Sequence, residues 1–247
     1  MERILFKGYE SKVMTAEAAA LLIENNDVVG SSGFTKAGDS KSVLPAFAKR
    51  AENEDVAITL ITGASLGYTT DADLAANNAL NRRMPFMADP ALRKSINDYK
   101  LKYIDQHLSE TIEQLICGHI APVDTAIIEA SLIDENGNIV PTTSIGNSAF
   151  FASQAKKVII EINTRIPLSF QGVHDCSVPN SYPDRDIINI QTVTDRIGDT
   201  FITVDPSKVV AVVYTDITDQ PATVAEPDEK TSAISGHLLN FFEQEVQ

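Results

Sequence analysis

The sequence predicts an α/β fold in which a mostly parallel sheet carries helices on both faces. Four short runs are rich in β-branched and apolar residues, which is typical of strands buried in a parallel sheet. Segments with helix-start and helix-stop residues separate these runs, and alternation of strands with helices favours a parallel arrangement. The four runs are residues 56–62, 125–130, 158–162 and 209–213.

The first predicted elements are a helix, a short strand and a second helix. Residues 15–26 are rich in Ala and Leu and begin with Thr15, a good N-cap, so they predict a helix. Residues 27–30 predict a short strand that stops at glycine. A second helix is expected from Ser42, because Pro45 is tolerated only in a first turn.

The middle of the chain contains a strand, two helices and a hairpin. Residues 56–62 (VAITLIT) predict a buried strand. Asp89-Pro90 combines an N-cap with Pro at the first helical position and predicts a helix start. Residues 109–117 predict another helix, which Gly118 closes. After the strand at 125–130, the Asn136-Gly137 pair predicts a hairpin turn between residues 131–134 and 138–141.

The last third continues the alternation and adds a long irregular segment. A helix at residues 148–156 precedes the strand at 158–162. Residues 163–185, rich in Pro, Ser and Asp, predict a functional or interface loop. A final helix spans residues 227–246. Its apolar residues are expected to form one broad face that packs partly on the sheet and partly on a partner. These apolar residues are Ile234, Leu238, Leu239, Phe241, Phe242 and Val246.

Composition excludes several classes of protein. The 247 residues carry a formal net charge of −14, which argues against nucleic acid and anionic membranes as partners. No apolar run approaches the roughly 20 residues of a membrane span. The first residues lack the features of a signal peptide, and two cysteines do not suggest a disulfide framework, so we expect a cytoplasmic protein. The length suits one large α/β domain or two small ones.

The glycine-rich segment at residues 30–41 is the most informative motif. It follows a predicted strand and precedes a helix, where ligands bind in open α/β sheets. Gly33 and Gly38 have the spacing of a nucleotide phosphate loop, but Asp39 stands where that motif needs Lys. A glycine-rich turn with only a packing role is the plain alternative. Gly63-Ala64-Ser65 forms a second such turn.

Several polar residues have both a functional and a structural interpretation. Arg196 either clamps a small carboxylate through its planar guanidinium or pairs at the surface with Asp195 or Asp199. The turn at residues 142–147 either anchors an anion at a helix start or only caps that helix. His174 and Cys176 are too few for a metal site, and we expect no metal.

Three carboxylates and two lysines also have a structural interpretation. Carboxylates at strand ends are interpreted as hydrogen-bonding groups rather than nucleophiles. Two lysines within the glycine-rich segment either attract the phosphates of a ligand or are exposed without a specific role. The carboxylates are Glu129, Glu161 and Asp205, and the lysines are Lys36 and Lys41.

In this order, six segments resemble the acetyl-CoA hydrolase/transferase family, in particular its succinyl-CoA:acetate CoA-transferase branch. The resemblance covers essentially the whole chain and predicts the CoA-transferase type of α/β domain. The segments are VVGSSGFTKAGDSK (28–41), LITGAS (60–65), IVPTTSIGN (139–147), KVIIEIN (157–163), DRIG (195–198) and VDPSKVVAVV (204–213).

The resemblance implies a reaction in which a glutamate attacks an acyl-CoA thioester and becomes a glutamyl-CoA thioester before an acceptor acid completes the exchange. That glutamate is expected beyond Gln247. Residues 1–247 would form the N-terminal domain, the C-terminal catalytic domain would be absent, and this chain alone would be inactive. No permanently bound cofactor is implied, since coenzyme A and acyl-CoA are substrates.

The resemblance also implies which residues line the substrate pocket. Small carboxylates and acyl-CoA are the expected ligands, with acetate, succinate, butyrate and 4-hydroxybutyrate as candidate acids. The chain is expected to form a homo-oligomer. An acetyl-CoA hydrolase and a non-catalytic small-acid-binding or scaffold module remain alternatives. The expected substrate-binding residues are Gly33, Phe34, Thr35, Ala37, Gly38, Thr143, Ser144, Gly146, Asn147, His174 and Arg196.

Overall fold

A computed structural model describes residues 2–31, 33–178, 180, 183–185 and 187–246. Ser32 of the glycine-rich segment and part of the predicted loop at 163–185 lie outside these ranges. The strands are β1 (Val28–Ser31), β2 (Ile58–Thr62), β3 (Leu80–Met84), β4 (Lys102–Tyr103), β5 (Thr125–Ala130), β6 (Leu132–Ile133), β7 (Ile139–Val140), β8 (Lys157–Asn163) and β9 (Val209–Thr215). The α-helices are α1 (Ala16–Ala20), α2 (Val43–Arg50), α3 (Thr70–Ala76), α4 (Pro90–Asn97), α5 (Leu108–Ile116), α6 (Ser148–Gln154) and α7 (Glu229–Glu245).

Seven strands form one sheet in the order β4-β3-β2-β1-β5-β8-β9, and each neighbouring pair is parallel. The predicted α/β fold with a mostly parallel sheet is confirmed. The predicted hairpin is also confirmed as the antiparallel pair β6–β7. Gly137 lies in its turn with a φ of +86°, a conformation that glycine adopts without steric cost.

Two apolar cores cover the two faces of the sheet, as predicted. One core joins α1, α2, α3 and α4 to one set of strand side chains, including Leu60 and Ile159. The other joins α6, the β6–β7 hairpin and part of α5 to the opposite set, including Ile61 and Ile160. Adjacent residues of one strand thus reach opposite cores, as the alternation of side chains along a strand requires.

Two helix predictions need correction. The helix predicted at residues 15–26 ends at Ala20, because the following residues form a turn in which Asp27 accepts a hydrogen bond from the N–H of Glu24. Asn26 takes a φ of +70° there, which a helix does not allow. The final helix, α7, has no buried residue, so its apolar face does not pack on the sheet as predicted.

Candidate active site

The direction in which the sheet is extended reverses between β1 and β5, and we call the region at the carboxyl ends of these two central strands the crevice. The chain leaves β1 towards α2 on one face of the sheet, and it leaves β5 towards the hairpin and α6 on the other. Connections that depart in opposite directions leave an open space beyond the strand ends, where ligands bind in open α/β sheets. The glycine-rich loop and the turn at 142–147 both lie at this position.

The loop after β1 has an unusual backbone. Gly33 and Gly38 have φ angles of +137° and +71°, and the non-glycine residues Thr35 and Lys36 also have positive φ, at 50° and 67°. A Cβ atom at Gly33 would lie 2.4 Å from the carbonyl oxygen of Ala37, so only glycine fits. Strained backbone of this kind persists only where surrounding contacts hold it.

The loop makes direct contact with the turn at 142–147. A Cβ atom at Gly38 would lie 2.7 Å from the carbonyl oxygen of Ser144, so the two segments approach closely. The hydroxyl of the neighbouring Thr143 donates a hydrogen bond to Asp219. Gly146 has a φ of +51°, and Asn147 precedes the first residue of α6. The structure therefore brings together the two segments that the sequence singled out.

His174 contacts the turn at 142–147, and Arg196 in turn contacts the His174 loop. The Nε2 atom of buried His174 lies 2.7 Å from the carbonyl oxygen of Thr142. Arg196 donates to the carbonyl oxygens of His174 and of Gly172, the latter at 2.9 Å. Its guanidinium therefore braces this loop, and Asp195 instead accepts hydrogen bonds from Gln191 and Thr192.

Cys176 is unsuited to nucleophilic chemistry. It is buried, and its backbone pairs with Asp199 in an isolated bridge. Burial, with added repulsion from Asp175 and Asp199, raises the pKa of the thiol to about 11. The thiolate is the reactive form, so this environment disfavours it near neutral pH.

Beneath the glycine-rich loop lies a buried ionic cluster that the sequence interpretation missed. Lys41 is 5% exposed, so the sequence-based expectation of an exposed lysine is wrong for this residue. Its Nζ atom lies 2.7 Å from Glu129, 2.9 Å from Asp219 and 3.6 Å from Asp39. Glu129 also accepts hydrogen bonds from Thr142 at 2.5 Å and from Asn163 at 2.8 Å. We call Lys41, Asp39, Glu129 and Asp219 the lysine cluster.

The lysine cluster holds three carboxyl groups around one ammonium, and its pKa values reflect this. Burial raises the pKa of Glu129 to about 7 and also raises that of Asp39, although Lys41 opposes both changes. Partial burial acts in the same direction on Asp219, but hydrogen bonds from Lys41 and Thr143 outweigh it and lower its pKa. Burial disfavours the charged ammonium, but the surrounding carboxylates outweigh it and raise the pKa of Lys41. The lysine therefore stays charged.

Another buried carboxylate, Glu161, fixes the start of α2. Its two oxygens accept hydrogen bonds from the Ser40 hydroxyl and from three backbone N–H groups, those of Lys41, Ser42 and Val43, at 2.6–3.2 Å. Glu161 lies on β8, in register with Glu129 on β5. Burial raises its pKa. The structural interpretation of Glu129 and Glu161 is thus confirmed. Asp205 is exposed and accepts hydrogen bonds from Ser207 in its own turn.

Neither a membrane span nor a metal cluster emerges from the described parts of the chain. No helix in those ranges is both long and apolar enough to cross a bilayer. Within the same ranges, His, Cys, Asp and Glu side chains nowhere gather in groups of three or more that would suit a metal ion.

Comparison with known proteins shows similarity to enzymes that act on CoA thioesters. The family described as "Acetyl-CoA hydrolase/transferase N-terminal domain" matches residues 2–214. The chain is 40% identical over 248 residues to the succinyl-CoA:acetate CoA-transferase of Clostridium kluyveri, covering 100% of this chain and 46% of the relative. It is 39% identical over 256 residues to the acetyl-CoA hydrolase of Schizosaccharomyces pombe, covering 99% and 49%. The chain spans about half the length of the curated relatives it matches.

Solved structures with the same fold are more distant in sequence. RipA from Yersinia pestis matches with a TM-score of 0.66 at 18% identity, over 95% of this chain and 49% of that one. Glutaconate coenzyme A-transferase from Acidaminococcus fermentans matches with a TM-score of 0.58 at 14% identity, over 95% of this chain and 88% of that one. The fold therefore occurs both within a longer chain and as most of a chain.

Proposed function

The chain belongs to the acetyl-CoA hydrolase/transferase family, and from this premise we propose that it forms the N-terminal half of an enzyme that exchanges CoA between small carboxylic acids. The observation that carries the proposal is the family match over residues 2–214, which includes both segments of the crevice. In this proposal the nucleophilic glutamate belongs to the remaining half, and this chain supplies the walls that hold the acyl group.

The crevice suggests a division of work among the predicted site residues. The N–H groups of Phe34, Lys36 and Gly38 are already bonded within the protein, to Ala37, Ser65 and Asp219 respectively. The proposal therefore assigns acyl-group contact to the exposed side of the loop, at Thr35, Ala37 and the Phe34 ring, which is 58% exposed. The other side of the loop faces inward and sets its shape.

The turn at 142–147 and the His174 loop would form the opposite wall. Ser144 already touches the glycine-rich loop at Gly38, and Gly146 and Asn147 lead into α6. Arg196 braces the His174 loop through two carbonyl oxygens. Its role in the proposal is to hold this wall in place and to offer positive charge near an acid substrate.

The first prediction is that the 247-residue chain alone does not transfer CoA from succinyl-CoA to acetate. Walls that position a substrate cannot form the acyl-enzyme bond without a nucleophile. Acetyl-CoA formation, followed by chromatography, should be undetectable with this chain. It should appear when the chain is joined to the C-terminal half of the Clostridium kluyveri relative, which we call the reconstituted enzyme.

The C-terminal half of the relative, purified by itself, is the control and should be inactive. Transfer by the isolated chain at a rate comparable to the whole relative would contradict the division of labour. A folded reconstituted enzyme without transfer or hydrolysis would favour the non-catalytic binding module.

The same assay separates transferase from hydrolase. The relatives include both activities at nearly equal identity. The two reactions differ in the group that resolves the enzyme-bound acyl or CoA intermediate, an acid or water. Release of free CoA that needs no acceptor acid would favour the hydrolase, and dependence on the acid would favour the transferase.

The second prediction concerns self-association of the isolated chain. The exposed apolar side chains of α7 include Ile234, Leu238 and Phe242 at four-residue intervals, which places them on one face. Exposed apolar surfaces of this kind tend to find partners. Light scattering at micromolar concentration should show a dimer, and the double variant Leu238→Glu with Phe242→Glu should be monomeric. Lys230→Glu on the same helix is the matched control, and a monomeric wild-type chain would contradict the prediction.

A further inference from the structure

Residues 218–220, a short segment after β9, form hydrogen bonds with the glycine-rich loop and with Tyr68. The N–H of Gln220 donates to the carbonyl oxygen of Lys36 at 3.0 Å, and the side-chain oxygen of Gln220 accepts from the N–H of Tyr68 at 2.5 Å. The Tyr68 hydroxyl donates to the carbonyl oxygen of Thr218 at 2.6 Å. Thr218 and Gln220 follow the end of the family match at residue 214, whereas Lys36 and Tyr68 lie within it.

Asp219, in the middle of this segment, contacts both walls of the crevice. One of its carboxylate oxygens accepts from the N–H of Gly38 at 3.2 Å and pairs with the Lys41 ammonium at 2.9 Å. The other accepts from the Thr143 hydroxyl. A single side chain thus joins the glycine-rich loop and the opposite wall of the crevice.

Lys41 completes the arrangement from below. Its ammonium, almost wholly buried, touches Glu129 at the end of β5 as well as Asp219 and Asp39. It also donates to the carbonyl oxygen of Asp39 at 3.0 Å, within the last turn of the loop. One cation therefore ties together three segments of the chain that are distant in sequence.

We propose that Lys41 and Asp219 form a clamp that positions the glycine-rich loop for the acyl-CoA substrate, and that the segment at 218–220 is thereby part of the active site. This inference rests on the proposed function for its catalytic consequence. Both are positioning residues, since they act through the backbone of the loop. The positive φ angles of Thr35 and Lys36 explain why such a clamp is needed, because unusual conformations revert unless neighbours hold them.

The first test measures the loop directly in the 247-residue chain. Asp219→Asn keeps the size of the side chain but removes its charge, which weakens the pair with Lys41. Amide hydrogen exchange of residues 33–40, read by mass spectrometry, should become about tenfold faster or more. Asp216→Asn, the same exchange at an exposed position three residues away, should leave it unchanged. Equal exchange in all three proteins would overturn the clamp.

The second test measures catalysis by the reconstituted enzyme. A misplaced loop loses orientation at the reacting group, so Asp219→Asn should lower kcat by about ten- to hundredfold while KM for acyl-CoA stays within about threefold. A merely destabilised protein would lose active enzyme, but its thermal midpoint would fall as well. We therefore expect a kcat defect at temperatures where circular dichroism shows the variant to be fully folded. An unchanged kcat would overturn the role in positioning.

A double-mutant cycle then tests whether the parts act together. Thr143→Val removes the hydroxyl that donates to Asp219. Combined with Asp219→Asn, it should add little to the loss in kcat, because each change breaks the same unit. Fully multiplicative losses would contradict a shared clamp. If wild-type reconstituted enzyme has no activity, the proposed function fails, yet hydrogen exchange still decides whether the clamp holds the loop.

Discussion

Replacing Glu161 with alanine is expected to lower the free energy of unfolding by about 3–5 kcal/mol, because it leaves several buried hydrogen-bond donors without an acceptor. Glu161 is fully buried and accepts from the three N–H groups at the start of α2 and from the Ser40 hydroxyl. Those N–H groups point into the protein, so water does not readily replace the carboxylate.

Urea denaturation of the wild type and the variant measures this effect. Glu52→Ala, at an exposed position beyond the end of α2, should change the free energy of unfolding by no more than about 0.5 kcal/mol. Glu161→Gln retains one acceptor oxygen and should fall between the two. A Glu161→Ala protein within about 1 kcal/mol of wild type would show that the network relaxes or admits water, contrary to the expectation.

Replacing Glu129 with glutamine should weaken the pH dependence of stability between about pH 4.5 and 7. Burial raises the pKa of Glu129 from 4.5 to about 7 in the folded protein. In this interval the folded chain retains the proton and the unfolded chain releases it, so raising the pH favours unfolding. The stabilisation is fully present below pH 4.5 and is lost as the pH rises through 7. It amounts to about 3 kcal/mol, at about 1.4 kcal/mol for each pH unit.

Glutamine is the informative replacement because it resembles the protonated acid. Its oxygen can accept from Lys41 and Asn163, and its amide can donate to the Thr142 hydroxyl. The difference in free energy of unfolding between wild type and Glu129→Gln, from denaturation at several pH values, should therefore change by about 3 kcal/mol between pH 4.5 and 8. Glu135→Gln, in the exposed hairpin turn, should follow the wild type throughout. A constant difference for Glu129→Gln would contradict the raised pKa.

Local sequence patterns predict the strands dominated by β-branched and apolar residues, but not β3 (LNRRM) and β4 (KY), in which polar and charged residues prevail. β2, β5, β8 and β9 were predicted because they are buried on both faces. The strand β3 contains Arg83, which is fully buried, pairs with Asp71 at 2.9 Å and also donates to Thr62. An arginine in a strand normally indicates solvent exposure, so only the tertiary partner on α3 reveals its place.

Part of the candidate site can likewise be predicted from local sequence, and part cannot. The glycine-rich loop after β1 and the turn before α6 can be predicted from sequence, because they contain residue types with special backbone preferences. The lysine cluster depends instead on side chains that meet only after folding, from residues 39, 41, 129 and 219. Two weak signals were present, a lysine directly after the loop and a glutamate within each of two apolar strands. Neither signal identifies its partner.

The strand order also has a consequence for how the site forms during synthesis. Residues 28–103 provide β1 to β4, which extend the sheet in one direction, and β5, β8 and β9 then join the other side in chain order. The strands β1 to β4 therefore leave the ribosome before β5, β8 and β9, since synthesis proceeds from the N-terminus. Lys41, however, meets Glu129 only after β5 has emerged, and Asp219 only after β9. The glycine-rich loop is among the first parts to be made and among the last to take its final shape.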